Sequence, residues 1–363
     1  MTNSPSDANT PPSQLLTPTE MVEERLRQLF AVETQRWHDQ DPRLGEAIEI
    51  LADIVLAGGK RLRAGLCYWA WYGLTDHHGT SRQSLAVDAG AGFELLQAFA
   101  LVHDDIMDNS ATRRGQKTVH HAQANRAHNL AWAGEPRRFG EGVAILVGDL
   151  GHVYADKLMA KIPAGARDVW DEMRIEVNLG QYLDLRSTAS GELNHSTAQK
   201  VSMFKSGLYT IVRPLQLGAL LHPLAQDDAN TLVAKLEAFG QPLGRAFQLR
   251  DDLLGVLGDQ ELIGKPVGDD IREGKPTELI AYALAHANLT QGKVLSGLGS
   301  PLSPKQIDEV VAVLIEVGAV DEIRRRIQNL VDQAISLIDG LPFNSESQAA
   351  LKAIANYVGD RQT

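Results

Sequence analysis

The sequence predicts an all-α fold, a single-domain bundle of ten or more helices. Apolar residues recur at helical spacing from Met21 towards the end of the chain. We find no segment that alternates apolar and polar residues between turn signals, as a half-buried strand would. The breaks between helical segments are too short for domain linkers, and no repeat of solenoid period is present.

The helices begin and end at recognisable signals. Residues 1–16 are polar and rich in Ser, Asn, Thr and Pro, which predicts a disordered tail before one folded catalytic domain, 17–363. Thr17-Pro18-Thr19-Glu20 has the order of an N-cap, a first-turn proline and a capping-box glutamate. Ser303-Pro304-Lys305-Gln306 repeats that order. Glycine and proline predict breaks around Gly58 and Gly340.

Composition and charge exclude several classes of protein. The chain has 363 residues, 44% of them apolar, which is enough for a large core. A formal charge of −11 argues against general nucleic-acid binding and against a polybasic membrane anchor. Cys67 is the single cysteine, so neither an internal disulfide nor a cysteine-type zinc site is expected. The first twelve residues do not resemble a secretory signal and no run of 18 apolar residues occurs, so we expect a cytoplasmic protein without a membrane span.

Three carboxylates, Asp104, Asp105 and Asp108, follow one of the most apolar segments of the chain. Residues 89–102 carry one Glu and one Gln among apolar and small residues, which predicts a buried helix. Buried carboxylates must be protonated or balanced by cations. On a helix, Asp104 and Asp108 lie one turn apart, a spacing that suits Mg²⁺. The alternative is an exposed acidic helix end, which the apolar approach makes the weaker interpretation.

A second acidic pair, Asp251-Asp252, also closes a mostly apolar segment. One such pair could be structural, with Arg250 as a surface partner. Two pairs, each at the end of a buried helix, indicate carboxylates that face each other across a cavity and hold several metal ions.

Basic clusters are interleaved with these acidic ones. Lys60 and Arg63 follow Gly58-Gly59 and, at a spacing of three, would share a helical face that binds an anion. Arg113 and Arg114 follow the first acidic cluster. Further candidates along the chain are Lys205, Ser206, Lys265 and Lys275. This pattern indicates two diphosphate substrates, one bound through metal and the other bound directly by Lys and Arg.

From about Ala57 to its end, the sequence resembles the trans-isoprenyl diphosphate synthases (polyprenyl synthetases), most closely a bacterial geranylgeranyl diphosphate synthase. Six motifs carry the resemblance: Asp104-Asp105-x-x-Asp108 with Arg113-Arg114-Gly115, Phe247-Gln248-x-x-Asp251-Asp252, Gly58-Gly59-Lys60-Arg61-x-Arg63, Gly180-Gln181-x-x-Asp184, Lys205-Ser206, and Gly264-Lys265. The resemblance implies an isoprenoid-synthase bundle around a deep central cavity, and a homodimer.

Three residues depart from the family's pattern. Ala64 stands where a proline is usual and Ser206 where a threonine is common. Gly255 replaces the last aspartate of the second motif, which leaves Asp270 as a candidate partner outside the metal's direct ligands. None of the three changes removes a leading aspartate, so we expect an active enzyme.

The resemblance implies Mg²⁺-dependent, head-to-tail prenyl transfer from an allylic diphosphate to isopentenyl diphosphate. Three Mg²⁺ ions per site would be held by Asp104, Asp108 and Asp251. The residues implied in catalysis are Asp104, Asp105, Asp108, Arg113, Lys205, Gln248, Asp251, Asp252 and Lys265. The residues implied to bind the two substrates are Lys60, Arg63, Gln97, Arg113, Arg114, Lys205, Ser206, Phe247, Gln248, Lys265 and Lys275.

Product length can be argued from the helix that carries the first motif. Ala100 lies one turn before Asp104 and Leu96 two turns before it, with Phe99 beside Ala100. A lone aromatic at position 99 resembles the geranylgeranyl diphosphate synthases, and that product is predicted. The alternatives are farnesyl diphosphate or a longer product. A class I terpene cyclase would not need Lys60 and Arg63, and a regulatory subunit would be expected to lose one aspartate motif.

Overall fold

The computed structural model describes residues 11–75, 82–113, 115–190, 195–257, 271–272, 274–275 and 277–361. The α-helices in these ranges are α1 (Leu16–His38), α2 (Pro42–Leu56), α3 (Leu62–Tyr72), α4 (Gln83–Met107), α5 (Val119–Asn129), α6 (Pro136–Leu158), α7 (Ala164–Ser190), α8 (His195–Ser202), α9 (Arg213–Ala219), α10 (Gln226–Leu257), α11 (Glu278–His286), α12 (Leu289–Leu295), α13 (Pro304–Glu316), α14 (Ala319–Ile338) and α15 (Ser345–Asp360). The predicted all-α fold is confirmed.

Helix α4 is the centre of the bundle. It packs against α1, α3 and α6, while α10 packs against α14 and α15. The side chains of residues 89–96 on α4 are all buried, as the apolar sequence predicts. By length and composition alone α4 could span a membrane, but 61% of its most apolar window is buried inside the protein, as in a core helix.

The start of the chain corrects two predictions. Part of the predicted disordered tail is ordered, because Ser13–Leu15 forms a 3₁₀ turn and Leu15 is only 1% exposed. This turn continues directly into α1, so Thr17 lies inside the helix and the predicted capping box does not form. The second predicted capping box does form: Ser303 accepts from the backbone of Gln306, whose side chain accepts from Ser303 in return. The capping box forms at Ser303 because an irregular segment, rather than another helical turn, precedes this residue.

Two short irregularities lie beside the aspartate helices. Residues Thr112–Arg113 (β1) and Gln116–Lys117 (β2) form a small antiparallel hairpin, a feature absent from the sequence prediction. Met203–Val212 is a π-helix between α8 and α9. Wide turns of this type are frequent at functional sites, and this one carries Lys205 and Ser206.

Helices α3 and α9 approach so closely that only glycine fits at their contact. A Cβ atom at Gly218 would lie 2.1 Å from the carbonyl oxygen of Cys67. We therefore expect Gly218→Ala to lower the free energy of unfolding by about 1–3 kcal/mol, measured by urea denaturation. Gly292→Ala is the matched control, since nothing lies within 4 Å of a Cβ there. It should stabilise by up to about 1 kcal/mol, and equal effects of the two changes would refute the packing argument.

Candidate active site

The first acidic cluster lies at the end of α4, as predicted. Lys205 of the π-helix donates from its ammonium to Asp104 at 3.2 Å and to Asp184 of α7 at 2.9 Å. Burial lowers the pKa of Lys205, but the carboxylates of Asp104 and Asp184 outweigh it and the net shift is upward. Lys205 is therefore a charged ammonium in contact with the first acidic cluster.

The neighbouring carboxylates are partly desolvated. Burial raises the pKa of Asp105, although Arg113 opposes the shift by donating from Nε at 2.8 Å. The same guanidinium lies 3.9 Å from Asp104. Burial, together with the negative charge of Asp104, raises the pKa of Asp108. A divalent cation at this position would stabilise the ionised carboxylates.

The second acidic pair has a partner that sequence reasoning missed. Arg361, just after α15, donates to Asp251 at 2.6 Å, and its guanidinium lies 4.1 Å from the centre of the Phe247 ring. Arg250 was a possible partner of the acidic pair, but it donates instead to the backbone carbonyls of Asp360 and Arg361. Arg361 belongs to no motif in the sequence. It lies 110 residues from Asp251, and only tertiary packing brings the two side chains together.

Asp252 lies one residue further along α10. It accepts from the side-chain amide of Gln248 at 2.9 Å, an i,i+4 pair that the helix itself produces. Gln248, Asp252 and Gly255 line the same cavity.

The basic loop is arranged differently from the prediction. Helix α3 begins at Leu62, so Lys60 lies in the loop before it and does not share a helical face with Arg63. Both side chains nevertheless line one cavity. Lys60 lies 5.9 Å from the centre of the Tyr357 ring. Arg63 lies 4.1 Å from the centre of the Tyr209 ring and donates to Thr210 at 2.8 Å.

Two cavities contain the predicted site residues. The Lys60 cavity, of about 950 Å³, is lined by the basic loop, by α4 residues between Glu94 and Met107, and by parts of α7 and α10. The Asp252 cavity, of about 1090 Å³, is lined by Asp108, Asp184, Asp252 and Lys275 among others. The residues that line both are Gln97, Leu101, Met107, Arg113, Lys205, Ser206 and Asp251. The two cavities are therefore adjacent compartments of one site.

The chain-length residues are placed as follows. Phe99 and Ala100 line the Lys60 cavity. The Phe99 ring centre lies 4.7 Å from that of His103 and 5.1 Å from that of His152 on α6. Leu96 is fully buried and is not part of the lining, so its role stays a prediction. Arg114, Lys265 and Asp270 lie outside the described residues.

Metal binding can be tested against the donor set. Among the described residues, no group of three or more carboxylate, imidazole or thiol side chains is arranged to hold a metal ion by itself. The carboxylates are instead spread along two walls of one site, with Asp104 and Asp251 both lining the Lys60 cavity. Mg²⁺ usually takes one or two protein carboxylates and completes its shell with water and phosphate oxygens. The residues present fit that mode of binding.

Comparison with known proteins identifies the family of this chain. The polyprenyl synthetase profile matches residues 45–316, three quarters of the chain. The chain belongs to the polyprenyl synthetase family. This polyprenyl synthetase is accordingly an isoprenyl diphosphate synthase, a prenyltransferase.

Individual relatives resemble this polyprenyl synthetase over most of its length. It is 31% identical over 317 residues to a geranylgeranyl diphosphate synthase of Saccharolobus solfataricus, covering 84% of this chain and 87% of the relative. It is 27% identical over 318 residues to a geranylfarnesyl diphosphate synthase of Aeropyrum pernix, covering 85% and 92%. A crystal structure of a geranylgeranyl pyrophosphate synthase of Corynebacterium glutamicum, complexed with isoprenyl diphosphate and magnesium, has 36% identity and a TM-score of 0.86, covering 96% and 99%.

Proposed function

We propose that this enzyme condenses isopentenyl diphosphate with allylic diphosphates and that its product is geranylgeranyl diphosphate. The observation that carries the proposal is the adjacency of the two cavities. One site is lined by basic and acidic clusters that lie up to some 190 positions apart in the chain. A reaction between two diphosphate substrates requires both kinds of cluster. Two relatives of this chain are named for the same product, and one of them was crystallised with isoprenyl diphosphate and magnesium.

The allylic diphosphate is assigned to the compartment between the aspartate helices. We assign Asp104, Asp108 and Asp251 as the ligands of Mg²⁺, three ions per site, with Asp105 and Asp252 in support. Bound Mg²⁺ would neutralise the diphosphate and so favour its departure as a leaving group. Lys205 and Arg113 already carry their charges at the first cluster. They would stabilise the negative charge that grows on the leaving oxygen.

The reaction then needs no protein nucleophile. The allylic carbon–oxygen bond breaks and the diphosphate leaves with the electron pair. The alkene of isopentenyl diphosphate attacks the allylic cation to form the new carbon–carbon bond, and the released diphosphate accepts the proton that is lost. The apolar wall of α4 holds the hydrocarbon chain and keeps water from the cation.

Isopentenyl diphosphate is assigned to the basic end of the Lys60 cavity, with Lys60, Arg63, Gln97 and Arg114 as its ligands. The Oε1 atom of Gln97 is buried and has no hydrogen-bond partner among the described residues, so it is available to a ligand. Lys205, Ser206, Phe247, Gln248, Lys265 and Lys275 complete the proposed set of substrate contacts between the two diphosphates.

We expect Lys60→Ala to raise the KM for isopentenyl diphosphate by about 10-fold or more, since it removes a direct charged hydrogen bond. The KM for the allylic substrate should change much less, because that diphosphate occupies the other compartment. Steady-state kinetics with each substrate varied in turn measures both constants. Lys235→Ala, at an exposed site on α10, is the control. Equal increases in the two KM values would contradict the assignment.

The product length is tested directly on the wild-type enzyme. Purified protein with Mg²⁺, isopentenyl diphosphate and dimethylallyl, geranyl or farnesyl diphosphate should give geranylgeranyl diphosphate from each primer, identified by mass. A shorter or longer end product would leave the prenyltransferase assignment intact and refute the proposed product. Absence of any elongation would refute both.

We also propose that the protein is a homodimer through α6 and α7. Large apolar side chains are exposed along one side of each helix: Ile145, Leu146 and Val153 on α6, and Ile175, Leu179 and Tyr182 on α7. The end of α6 meets the start of α7, where Arg167 of α7 pairs with Asp156 of α6 at 2.7 Å. Large apolar side chains that are exposed together on neighbouring turns are typical of an interaction face.

The variant Leu146→Asp/Leu179→Asp should elute as a monomer in size-exclusion chromatography with light scattering, because each change places a charge in the proposed interface. Leu289→Asp, at a side chain 90% exposed on α12, is the control and should stay dimeric. A wild-type monomer, or a double variant that remains dimeric, would refute this interface.

A further inference from the structure

Arg61 lies between the two cations of the basic loop, yet it does not serve as a third surface cation. Its side chain is only 4% exposed. Its backbone is left-handed, with φ of 48°, at the residue that caps the start of α3. Left-handed backbone is unfavourable for a side chain such as arginine, so surrounding contacts must hold it in place.

Those contacts come from three helices. The guanidinium donates to Glu94 of α4 at 2.6 Å and to the carbonyl of Val55, in the last turn of α2, at 2.7 Å. Glu23 of α1 lies 3.7 Å away. Glu94 is only 8% exposed, so its pairing with Arg61 is shielded from water. A buried pair of this kind is sensitive to the loss of either partner.

The pair connects the loop to the helix that faces it. Arg61 lies between Lys60 and the first turn of α3, which carries Arg63. Lys60 and Arg63 both line the Lys60 cavity. Glu94 lies one helical turn before Gln97 on α4, and both line the Lys60 cavity. The contact between Arg61 and Glu94 therefore constrains the positions of Lys60 and Arg63 relative to Gln97.

We propose that Arg61 is a positioning residue whose buried ion pair with Glu94 preorganises the isopentenyl diphosphate site. This inference rests on the proposed assignment of Lys60 and Arg63 to that substrate. Arg61 is part of the lining of the Lys60 cavity, but its guanidinium donates to Glu94 and to the carbonyl of Val55. It holds the left-handed turn that directs Lys60 and Arg63 into one cavity, and so reduces the ordering that binding would otherwise require.

The test is a set of steady-state measurements on Arg61→Met, Arg61→Lys, Glu94→Gln and the Arg61→Met/Glu94→Gln double variant. Loss of a supporting contact of this kind should raise the KM for isopentenyl diphosphate by about 10–100-fold. The KM for the allylic substrate, and kcat at saturation, should stay within about threefold of wild type. Arg61→Lys keeps the charge beside Glu94 and should recover part of the loss. The double variant should be no worse than Arg61→Met, because the pair acts as one unit.

A matched control is available at another ion pair that involves α4. Arg25 of α1 pairs with Asp88 of α4 at 2.7 Å, but neither residue lines the Lys60 cavity. Arg25→Met removes an arginine–carboxylate pair without touching the loop, so its KM values should not change. Thermal unfolding of each variant shows which variants are folded. If Arg61→Met does not fold, the KM for isopentenyl diphosphate of Glu94→Gln is the deciding measurement, because glutamine keeps an acceptor for Arg61.

Three outcomes would overturn the inference: an unchanged KM for isopentenyl diphosphate in Arg61→Met and Glu94→Gln, an equal rise for both substrates, or fully additive effects in the double variant. Lys60→Ala separates this failure from a failure of the site assignment. If Lys60→Ala raises the KM for isopentenyl diphosphate and Arg61→Met does not, the positioning role alone is wrong. If neither does, the assigned site is wrong.

Discussion

Asp104→Asn should lower kcat by a factor on the order of 10²–10³, as loss of one preorganised electrostatic group at a reacting centre typically does. Asparagine has nearly the same shape, so packing at the end of α4 is preserved while the anionic oxygen is lost. That oxygen belongs to the first acidic cluster and is already in contact with Lys205 at 3.2 Å. The variant should also need more Mg²⁺ to reach half its maximal rate, since one proposed ligand has lost its charge.

The measurement is kcat at saturating concentrations of both substrates over a Mg²⁺ titration. Asp228→Asn, in the exposed first turn of α10, is the control and should behave like wild type. Addition of EDTA to the wild type should abolish elongation. A kcat for Asp104→Asn within threefold of wild type, or elongation that survives EDTA, would refute the proposed metal role.

Two substitutions on α4 should change the product in opposite directions. Phe99→Ala removes a ring that lines the Lys60 cavity against His103 and His152, so the main product should lengthen by at least one isoprene unit. Ala100→Phe places a ring one turn before Asp104, so the product should become shorter. Both effects are expected because the cavity wall limits the hydrocarbon, while Asp104 and Asp108 stay in place.

Product distributions are compared by mass spectrometry after identical incubation with farnesyl diphosphate and, separately, dimethylallyl diphosphate as primer. Phe139→Ala makes the same change at an exposed ring of α6 and should leave the product unaltered. If both α4 variants keep the wild-type distribution, neither residue limits chain length in this enzyme.

Much of the site could be predicted because it depends on local helix geometry. Asp104 lies in the last turn of α4 and Asp108 caps the end of that helix, four residues later, as their spacing requires. Gln248 and Asp252 pair at i,i+4 on α10. The capping box at Ser303 forms, since every group in it lies within four residues.

Predictions failed where a neighbour in space changed a local preference. The capping box at Thr17 is replaced by an earlier start of α1, because Leu15 is drawn into the core. Lys60 and Arg63 do not share a helical face, because Arg61 is held left-handed by groups on α2 and α4. The side chain of Arg250 donates to the backbone carbonyl of Arg361, and the side chain of Arg361 pairs with Asp251 instead.

The sequence by itself determined the all-α class, the helix that carries the first aspartates and the residue types of a metal-assisted diphosphate site, because periodicity and motif spacing act over a few residues. Only the tertiary structure decided which charges meet. Lys205 contacts Asp104 across 101 positions, Arg361 contacts Asp251 across 110, and Arg61 contacts Glu94 across 33. Such pairs depend on how α3, α4, α10 and the π-helix pack, and packing sums many weak contacts that no single motif encodes.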